Sequence, residues 1–575
     1  MRNAEIADAL IELGTLYELE GAVRYRVIAY KEAARVIRDT PLSVEELARE
    51  GRLTELPAVG ETLANKIETL IATGEIPAAT KLKAKFPPSL IAVTRIPGVG
   101  AKTARRLYDE LGIATLEQLE EAARAERLRT VRGLGPRLEE SVLDSLARLG
   151  EDGAPGRLLL SEVLPVAEQL ADALHEHPAS ERVEVAGSAR RWAETCKDVD
   201  LVATSAEPLA LAEALQSHSL VAQAGSAGEA GARVVTHNGI AVDLRIGRRE
   251  QFGNLLQHLT GSAEHNVQLR ERAVAAGLSV SEHGIVEVES ERASEYATEE
   301  EVYERLGLAY IEPELREGRG EIRAAADGAL PNLVTLADVR GDLHCHTTLS
   351  DGRNSLVEMA AAARERGREY LAVTDHSASH GFGNHVTAED LWRRVEEVRE
   401  WNRGKRGFRL LAGSEVNIGV DGGLDYPEEL LAELDWVVAS VHTAFRMSER
   451  QMTRRFLTAI ENPLVDCIGH LSGRLILRRE PYGVDVERIV GAAAQTGTML
   501  EINGNPNRRD LSEHHARLAA EAGAPIVVTT DAHGAETLEN MRYAVATARR
   551  AWLTPAQVAN TQPWPELARR RPRRR

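Results

Sequence analysis

At 575 residues the chain exceeds what one hydrophobic core ordinarily organises, so three or four domains are expected. Its 43% apolar and 27% charged composition excludes a disordered or fibrous chain, and a net charge of −18 excludes a uniformly basic nucleic-acid binder. Nucleic acid, if bound, must be held by local basic patches or by backbone donors. The three cysteines, Cys196, Cys345 and Cys467, have no Cys-x-x-Cys spacing, which points to a reducing compartment without disulfides. No signal pattern opens the chain and no apolar run is long enough to span a bilayer, so a cytoplasmic location without a membrane partner is expected.

Residues 1 to about 150 read as short helices broken by Gly-rich turns. Leu56-Pro57-Ala58-Val59-Gly60, Ile96-Pro97-Gly98-Val99-Gly100 and Arg132-Gly133-Leu134-Gly135 resemble one another, and each precedes a helical pattern. This is the helix-hairpin-helix pattern. Backbone N–H groups at such a turn bind a DNA phosphate without reading sequence. Gly60, Gly98, Gly100, Lys102, Gly133 and Gly135 are the candidate DNA contacts.

Residues 155 to 315 mix helices and strands. Gly187-Ser188-Ala189-Arg190-Arg191 is a turn with a hydroxyl, and Arg191 offers a planar fork of donors to phosphate. Asp198 and Asp200 follow in DVDLVAT, which reads as a strand, so their carboxylates share a face. Asn238-Gly239 between two β-rich runs predicts a hairpin whose second arm carries Asp243, a third carboxylate. Three carboxylates without His or Cys suit Mg²⁺ or Mn²⁺ bridging protein and substrate phosphates, the chemistry of nucleotide transfer.

Residues 316 to 340 are polar, contain Gly328 and Pro331, and read as a linker. From 341 to about 560, apolar runs alternate with helical patterns, which predicts a βα-repeat fold with a largely parallel sheet. A metal-ligand residue follows run after run: His344, His346, Asp351, His376, Glu415, His442, His470, Asp531 and His533. Strand ends gather on one rim of a βα barrel, the rim that carries active sites. So many ligands exceed one ion's needs, and a His and carboxylate set suits two or three Zn²⁺ or Mn²⁺ ions. Cys345, between two of them on a strand, points away. The last seven residues, Arg569-Arg570-Arg571-Pro572-Arg573-Arg574-Arg575, read as a disordered basic tail, solubilising or DNA-touching.

On these motifs, residues 1 to about 315 resemble the family X DNA polymerases, and residues 341 to about 560 resemble the PHP (polymerase and histidinol phosphatase) domain. Thr260-Gly261-Ser262, with Asn266 and Arg270 downstream, narrows the first resemblance to family X. The implied fold is multidomain α+β and α/β: a helix-hairpin-helix region, a nucleotidyltransferase-type palm with a β-sheet and a C-terminal distorted (β/α)7 barrel. The implied domains are 1–90 (N-terminal helical), 91–153 (fingers-type DNA-binding), 154–240 (palm) and 241–315 (end of palm and nucleotide selection). A linker at 316–340, the PHP phosphoesterase at 341–562 and the tail at 563–575 follow.

The resemblance also implies roles. Asp198, Asp200 and Asp243 are the metal triad, with Asp243 activating the primer 3′-hydroxyl. Gly187, Ser188, Arg191 and Ser262 contact the nucleotide, Gly261 admits its sugar, Asn266 touches the base edge and Arg270 senses the template side. The PHP residues imply a Mn²⁺-dependent 3′→5′ exonuclease, in some relatives also cleaving abasic sites, and the hairpin turns a monovalent cation. Gapped or nicked DNA and dNTPs are the implied partners of a nucleoid-associated monomer. Two departures stand out: Lys197 replaces the usual Gly before the first Asp, and His258-Leu259 replace an aromatic pair that excludes the ribose 2′-hydroxyl. The first places a cation where it either weakens metal binding or contacts phosphate; the second predicts weak discrimination against ribonucleotides. Lys66 falls where eukaryotic relatives carry a 5′-deoxyribose-phosphate lyase nucleophile. The rival readings are a chiefly nucleolytic enzyme, a small-molecule phosphatase tethered to DNA and a non-catalytic end-binding scaffold.

Overall fold

Three turns of one geometry punctuate the N-terminal helices. The N–H of Val59 donates to the Leu56 carbonyl at 3.1 Å, that of Val99 to Ile96 at 2.9 Å and that of Leu134 to Val131 at 3.0 Å. The residue before each donor sits in the left-handed region, with φ 63° at Ala58, 86° at Gly98 and 85° at Gly133. Glycine adopts that conformation freely and alanine does not, so Ala58 is the strained member. The helices Glu61–Thr73, Ala101–Leu111 and Pro136–Leu149 follow. Their apolar faces join those of Asn3–Glu20 and Arg24–Asp39 in one core that includes Ile6, Leu10, Ile67 and Leu107.

The structure, a computed structural model, describes residues 1–94, 96, 98–149, 156–381 and 383–572. Pro97 of the second turn, the expected boundary between 153 and 154, and Arg573–Arg575 of the tail lie outside the described residues. The chain divides into two compact units. One comprises Met1–Leu158, Glu162–Val185 and Lys197–Arg248; the other comprises Leu159–Ser161, Ala186–Cys196 and Arg249–Arg575.

In the first unit the strands β1 (Ser180–Val185), β2 (Val199–Ser205), β3 (Val221–Gly228), β4 (Gly231–Thr236) and β5 (Ala241–Gly247) form a sheet in the order β1-β2-β5-β4-β3. Only the β2–β5 pairing is parallel, and its register sets Asp200 opposite Asp243. The predicted Asn238-Gly239 turn joins β4 to β5, with Gly239 at φ 84°.

In the second unit, helices Phe252–Thr260 and Ala263–Ala275 precede a short antiparallel sheet at residues 278–294. Seven parallel strands then follow in sequence order: β6 (Gly341–Cys345), β7 (Tyr370–Val373), β8 (Arg409–Asn417), β9 (Trp436–Ser440), β10 (Cys467–Ile468), β11 (Met499–Asn503) and β12 (Ile526–Thr529). The sheet nearly closes into a barrel, because Cys345 bridges to Ala532 and the His346 N–H donates to the Ala532 carbonyl at 2.8 Å. Asn560 stitches the other end of this seam. Its Nδ2 donates to the Gly341 carbonyl at 2.8 Å and the Val528 carbonyl at 2.7 Å, and its Oδ1 accepts from the Val528 N–H at 3.0 Å. Cys345 lies in the core between sheet and helices, as strand alternation predicts.

Two expectations need correction. The segment 316–340 is folded into the second unit and is not an exposed connector. Arg316 is fully buried, donating to Glu299 and to the Ile311 carbonyl, and Glu321 is equally buried against His265 at 2.8 Å. These two charges are paired internally, while Arg323, Asp327 and Arg340 stay exposed, so polar composition did not separate the two kinds. The tail is not disordered as far as residue 572 either. Trp564 and Leu567 pack with Leu343, Tyr370 and Trp436, and buried Arg571 donates to both Asp466 carboxylate oxygens at 2.8 and 2.9 Å. An apolar anchor and one buried counter-charge order a stretch that composition alone marks as solvated.

Candidate active sites

The first site lies on the β2–β5 pair. Asp198 precedes β2 and Asp200 lies within it. Asp198 and Asp243 line a cavity of about 440 Å³ with Gln223, Gly225 and Arg233. Asp243 is held by two cations: Arg233 Nε donates to its Oδ2 at 3.0 Å, and Arg245 Nε lies 3.4 Å from its Oδ1. Among the described residues the three carboxylates do not gather tightly enough to form a group of ligand atoms within 4.8 Å. Donor chemistry nonetheless fits an oxygen-seeking divalent ion, with two of the three carboxylates, Asp198 and Asp243, lining an open cavity. Lys197 is exposed, and Lys66 is half-buried on the helix Glu61–Thr73. Gly60, Gly98, Gly100, Lys102 and Gly133 are exposed and Gly135 is half-buried, with Gly60 and Gly100 capping helix N-termini.

The expected nucleotide contacts belong to the second unit. Ser188 is half-buried beside Gly187, and Arg191 donates to Glu317 at 3.1 Å and to the Thr260 carbonyl. A Cβ on Gly261 would sit 3.1 Å from the Arg191 guanidinium, and its φ of 69° also favours glycine. Ser262 caps the helix Ala263–Ala275. Asn266 is turned inward: its Oδ1 accepts from Gln257 at 2.9 Å and its Nδ2 donates to the His258 carbonyl at 2.8 Å. Arg270 is exposed and donates to the Asn266 carbonyl, while His258 and Leu259 are half-buried on the preceding helix.

The other centre sits where the barrel strands end. Glu415 of β8 is its hub. Its Oε2 lies 3.3 Å from His344 Nε2, 3.6 Å from His346 Nε2 and 2.8 Å from His376 Nδ1. Its Oε1 lies 3.2 Å from His442 and 2.8 Å from His470. Asp531 Oδ1 approaches His346 at 3.3 Å, and Asp351 Oδ2 approaches His533 at 3.4 Å. Ligand atoms within 4.8 Å of one another form three groups: His346, Asp351, His376 and His533; His344, His346 and Asp531; His376, Glu415 and His442. Of the expected ligands only His470 falls outside them, and it adjoins Glu415.

The electrostatics match a cation-binding cage. Burial works against the Glu415 carboxylate, yet His442, His344 and His376 hold its pKa well below the ordinary value. Burial drives His376 down to about 3, which leaves a neutral ring able to ligate. His344 Nε2, both ring nitrogens of His346, His470 Nδ1 and Glu415 Oε2 are buried without a hydrogen bond. Buried nitrogen and oxygen atoms that face one another without hydrogen-bond partners fit divalent metal, and an N/O donor set fits Zn²⁺ or Mn²⁺.

Sequence reasoning missed the contribution of β11. Glu501 accepts from His344 Nδ1 at 2.6 Å, Thr529 Oγ1 at 2.6 Å and the His470 N–H at 2.7 Å. Asn503 Nδ2 bridges Glu501 and Asp531 at 3.1 Å each. Such carboxylates orient a histidine and set its tautomer. The signal was present, since MLEIN is an apolar run ending in polar residues between His470 and Asp531. Arg508, 3.5 Å from Asp531, adds positive charge at the rim.

Family models match this chain in four places: a helix-hairpin-helix domain at residues 1–76, a SAM-like helix-hairpin-helix tandem at 90–148, a DNA polymerase beta thumb at 255–317 and a PHP domain at 342–505. The DNA polymerase/3'-5' exonuclease PolX of Bacillus subtilis (strain 168) is 34% identical over 564 residues, covering 98% of each chain. Over the C-terminal part, a probable phosphatase of Thermoanaerobacter sp. (strain X514) is 32% identical across 38% of this chain and 89% of its own. One of Syntrophotalea carbinolica is 30% identical across 38% of this chain and 90% of its own. Helical hairpins, a carboxylate-bearing palm sheet and a seven-stranded barrel ending in a His and carboxylate cage thus meet a near-full-length likeness, and the chain belongs to the family X DNA polymerases that carry a C-terminal PHP domain.

Proposed function

We propose that this protein is a DNA repair polymerase that fills short gaps and trims 3′ ends with a second, independent centre. One observation carries the reading: the likeness to a polymerase that is also an exonuclease spans both centres. Residues 1–90 and 91–153 hold the phosphates of gapped or nicked DNA, with a monovalent cation at the hairpin turns. Residues 154–240 and 241–315 bind the dNTP and join it to the primer, and residues 341–562 hydrolyse 3′-terminal phosphodiesters. The protein acts as a monomer in the cytoplasm, at the nucleoid.

Asp198, Asp200 and Asp243 would hold Mg²⁺ or Mn²⁺, and the barrel cage two or three Mn²⁺ or Zn²⁺. When bound, such ions stabilise charge on the phosphoryl oxygens and ease deprotonation of the attacking hydroxyl or water. Asp243 faces the primer hydroxyl, and its pairing with Arg233 and Arg245 fixes where that carboxylate stands. Ser188 and Arg191 bind the triphosphate and Gly261 leaves room for the sugar. Asn266 and Arg270 turn toward base and template as nucleotide binds. Glu501 and Asn503 lock the rings and carboxylates of the cage.

The decisive experiment assays gap filling and 3′ trimming in Asp198→Ala/Asp200→Ala and His344→Ala/Asp531→Ala variants. Each pair abolishes one activity and spares the other; joint loss in either variant would overturn the two-centre reading. His258-Leu259 in place of an aromatic pair implies weak exclusion of ribonucleotides. A preference for dGTP over GTP above about a thousandfold, roughly 4 kcal/mol, would refute it. The same reading extends to abasic-site cleavage by the barrel centre and to a lyase role for Lys66. Borohydride trapping on an incised abasic site tests Lys66, and absence of a covalent adduct ends that role.

A second reading takes the C-terminal centre as a small-molecule phosphatase, favoured by the probable phosphatases that match it. Phosphate release from histidinol phosphate without shortening of labelled DNA would select it.

A further inference from the structure

The loop carrying Ser188 and Arg191, residues Ala186–Cys196, is compact with the C-terminal half of the chain. PHP-domain side chains grip it at successive positions. Arg550, the last residue of the helix Met541–Arg550, donates to the Arg191 carbonyl at 2.6 Å and to Glu317 at 2.8 Å. Glu317 accepts in turn from Arg191 Nε at 3.1 Å, so one carboxylate spans both guanidinium groups. The other arm of Arg550 donates to Glu513 at 2.9 Å, which also accepts from Arg319.

The grip continues along the loop. Buried Arg509 donates to the Trp192 carbonyl at 2.9 Å and, through Nε, to Thr547 at 2.9 Å. Arg474 reaches both Glu194 oxygens and the carbonyls of Arg508 and Arg509. Trp192, at φ 54°, stands edge-on to Tyr543 with ring centres 5.8 Å apart, and Arg542 lies over its ring. Burying a guanidinium is costly unless its donors are satisfied. Arg550 is 5% exposed and Arg509 is 1% exposed, and loop atoms supply part of what satisfies them. A loop held at positions 191, 192 and 194 by three separate side chains cannot shift without orphaning buried charge.

We propose that Arg550, Arg509 and Arg474 are positioning residues for the nucleotide, so that the PHP domain forms the rear wall of the polymerase's nucleotide subsite. They set where Ser188 and Arg191 stand, and Arg550 does so twice, through the Arg191 carbonyl and through Glu317. This rests on the reading of the loop as a triphosphate contact. It assigns the hydrolytic domain a second task separate from its own chemistry.

Steady-state gap filling by the full-length protein, measured against dNTP concentration, tests this. Arg550→Met removes the grip at its base. Arg550→Lys retains a cation near Glu317 and Glu513 but cannot also hold the Arg191 carbonyl. Glu194→Gln loosens the loop from its own side without altering a PHP residue. Expected is a KM for dNTP raised about tenfold in Arg550→Met and Glu194→Gln, with kcat and 3′ trimming within about twofold and partial recovery in Arg550→Lys. An unchanged KM in Glu194→Gln and Arg550→Met overturns the proposal, as does a parallel fall of kcat and trimming. If Arg550→Met does not fold, Glu194→Gln alone decides. Wild-type protein that extends no primer at all would instead overturn the polymerase reading beneath it.

Discussion

Replacing Asn560 by alanine should loosen the barrel where it closes. Asn560 is fully buried, and its side chain makes three hydrogen bonds to the backbone of the two terminal strands, at 2.7, 2.8 and 3.0 Å. Alanine leaves the Gly341 carbonyl and both the N–H and carbonyl of Val528 without these partners. An orphaned buried group costs about 1–3 kcal/mol, so three at the low end give a loss of about 3 kcal/mol. Asn560→Asp should be worse, because a carboxylate oxygen would face two carbonyl oxygens where a donor stood. Unfolding in urea, followed by tryptophan fluorescence, isolates the effect. All six tryptophans, Trp192, Trp392, Trp401, Trp436, Trp552 and Trp564, belong to the second unit, so the signal ignores the first. A loss below about 1 kcal/mol would refute the idea that this side chain closes the seam.

Other perturbations have equally definite outcomes. Glu299, buried between Arg190 and Arg316, has its pKa lowered to about 2 from 4.5, although burial opposes the shift. A depressed carboxylate contributes stability that is full above the unfolded value and fades as pH falls from 4.5 toward 2. The contribution is about 3 kcal/mol, and Glu299→Gln should flatten the acid limb of stability against pH; an unchanged limb would exclude Glu299 as its source. Arg571→Ala strands Asp466 without its counter-charge and should cost about 3–5 kcal/mol in the same fluorescence assay, against a small effect for Arg569→Ala. Ala58→Gly relieves a left-handed alanine and should raise the stability of the first unit by about 0.5–1 kcal/mol in thermal circular dichroism. Glu501→Gln leaves every expected ligand in place, yet should raise the Mn²⁺ concentration needed for 3′ trimming about 10- to 100-fold while gap filling stays unchanged.

Legibility in the sequence followed how local the physics was. The hairpin turns were readable because a left-handed residue and a capped helix need particular residue types within five positions. The strand-end ligands were readable because histidine and carboxylate at the end of an apolar run have few other reasons to recur. Glu501 escaped because its work is to hold His344, and a residue that orients a ligand follows no spacing rule of its own. The burial of Arg316, Glu321 and Arg571 was not legible because their partners, Glu299, His265 and Asp466, lie elsewhere in the chain. No window around any of them contains the pair. The inward turn of Asn266 was hidden for a different reason: its partners Gln257 and the His258 carbonyl are near in sequence, but the bend between two helices that brings them together follows no residue spacing.

The seam joined by Asn560 also bears on how the protein is made. Asn560 and Gly341, which it bonds, are 219 positions apart. A ribosome therefore releases the first barrel strand long before the residue that secures it, while local helical hairpins upstream are already able to fold. Nascent chains should carry β6 with an unsatisfied edge for most of the barrel's synthesis, the interval in which a chaperone that shields strand edges would matter most to this enzyme.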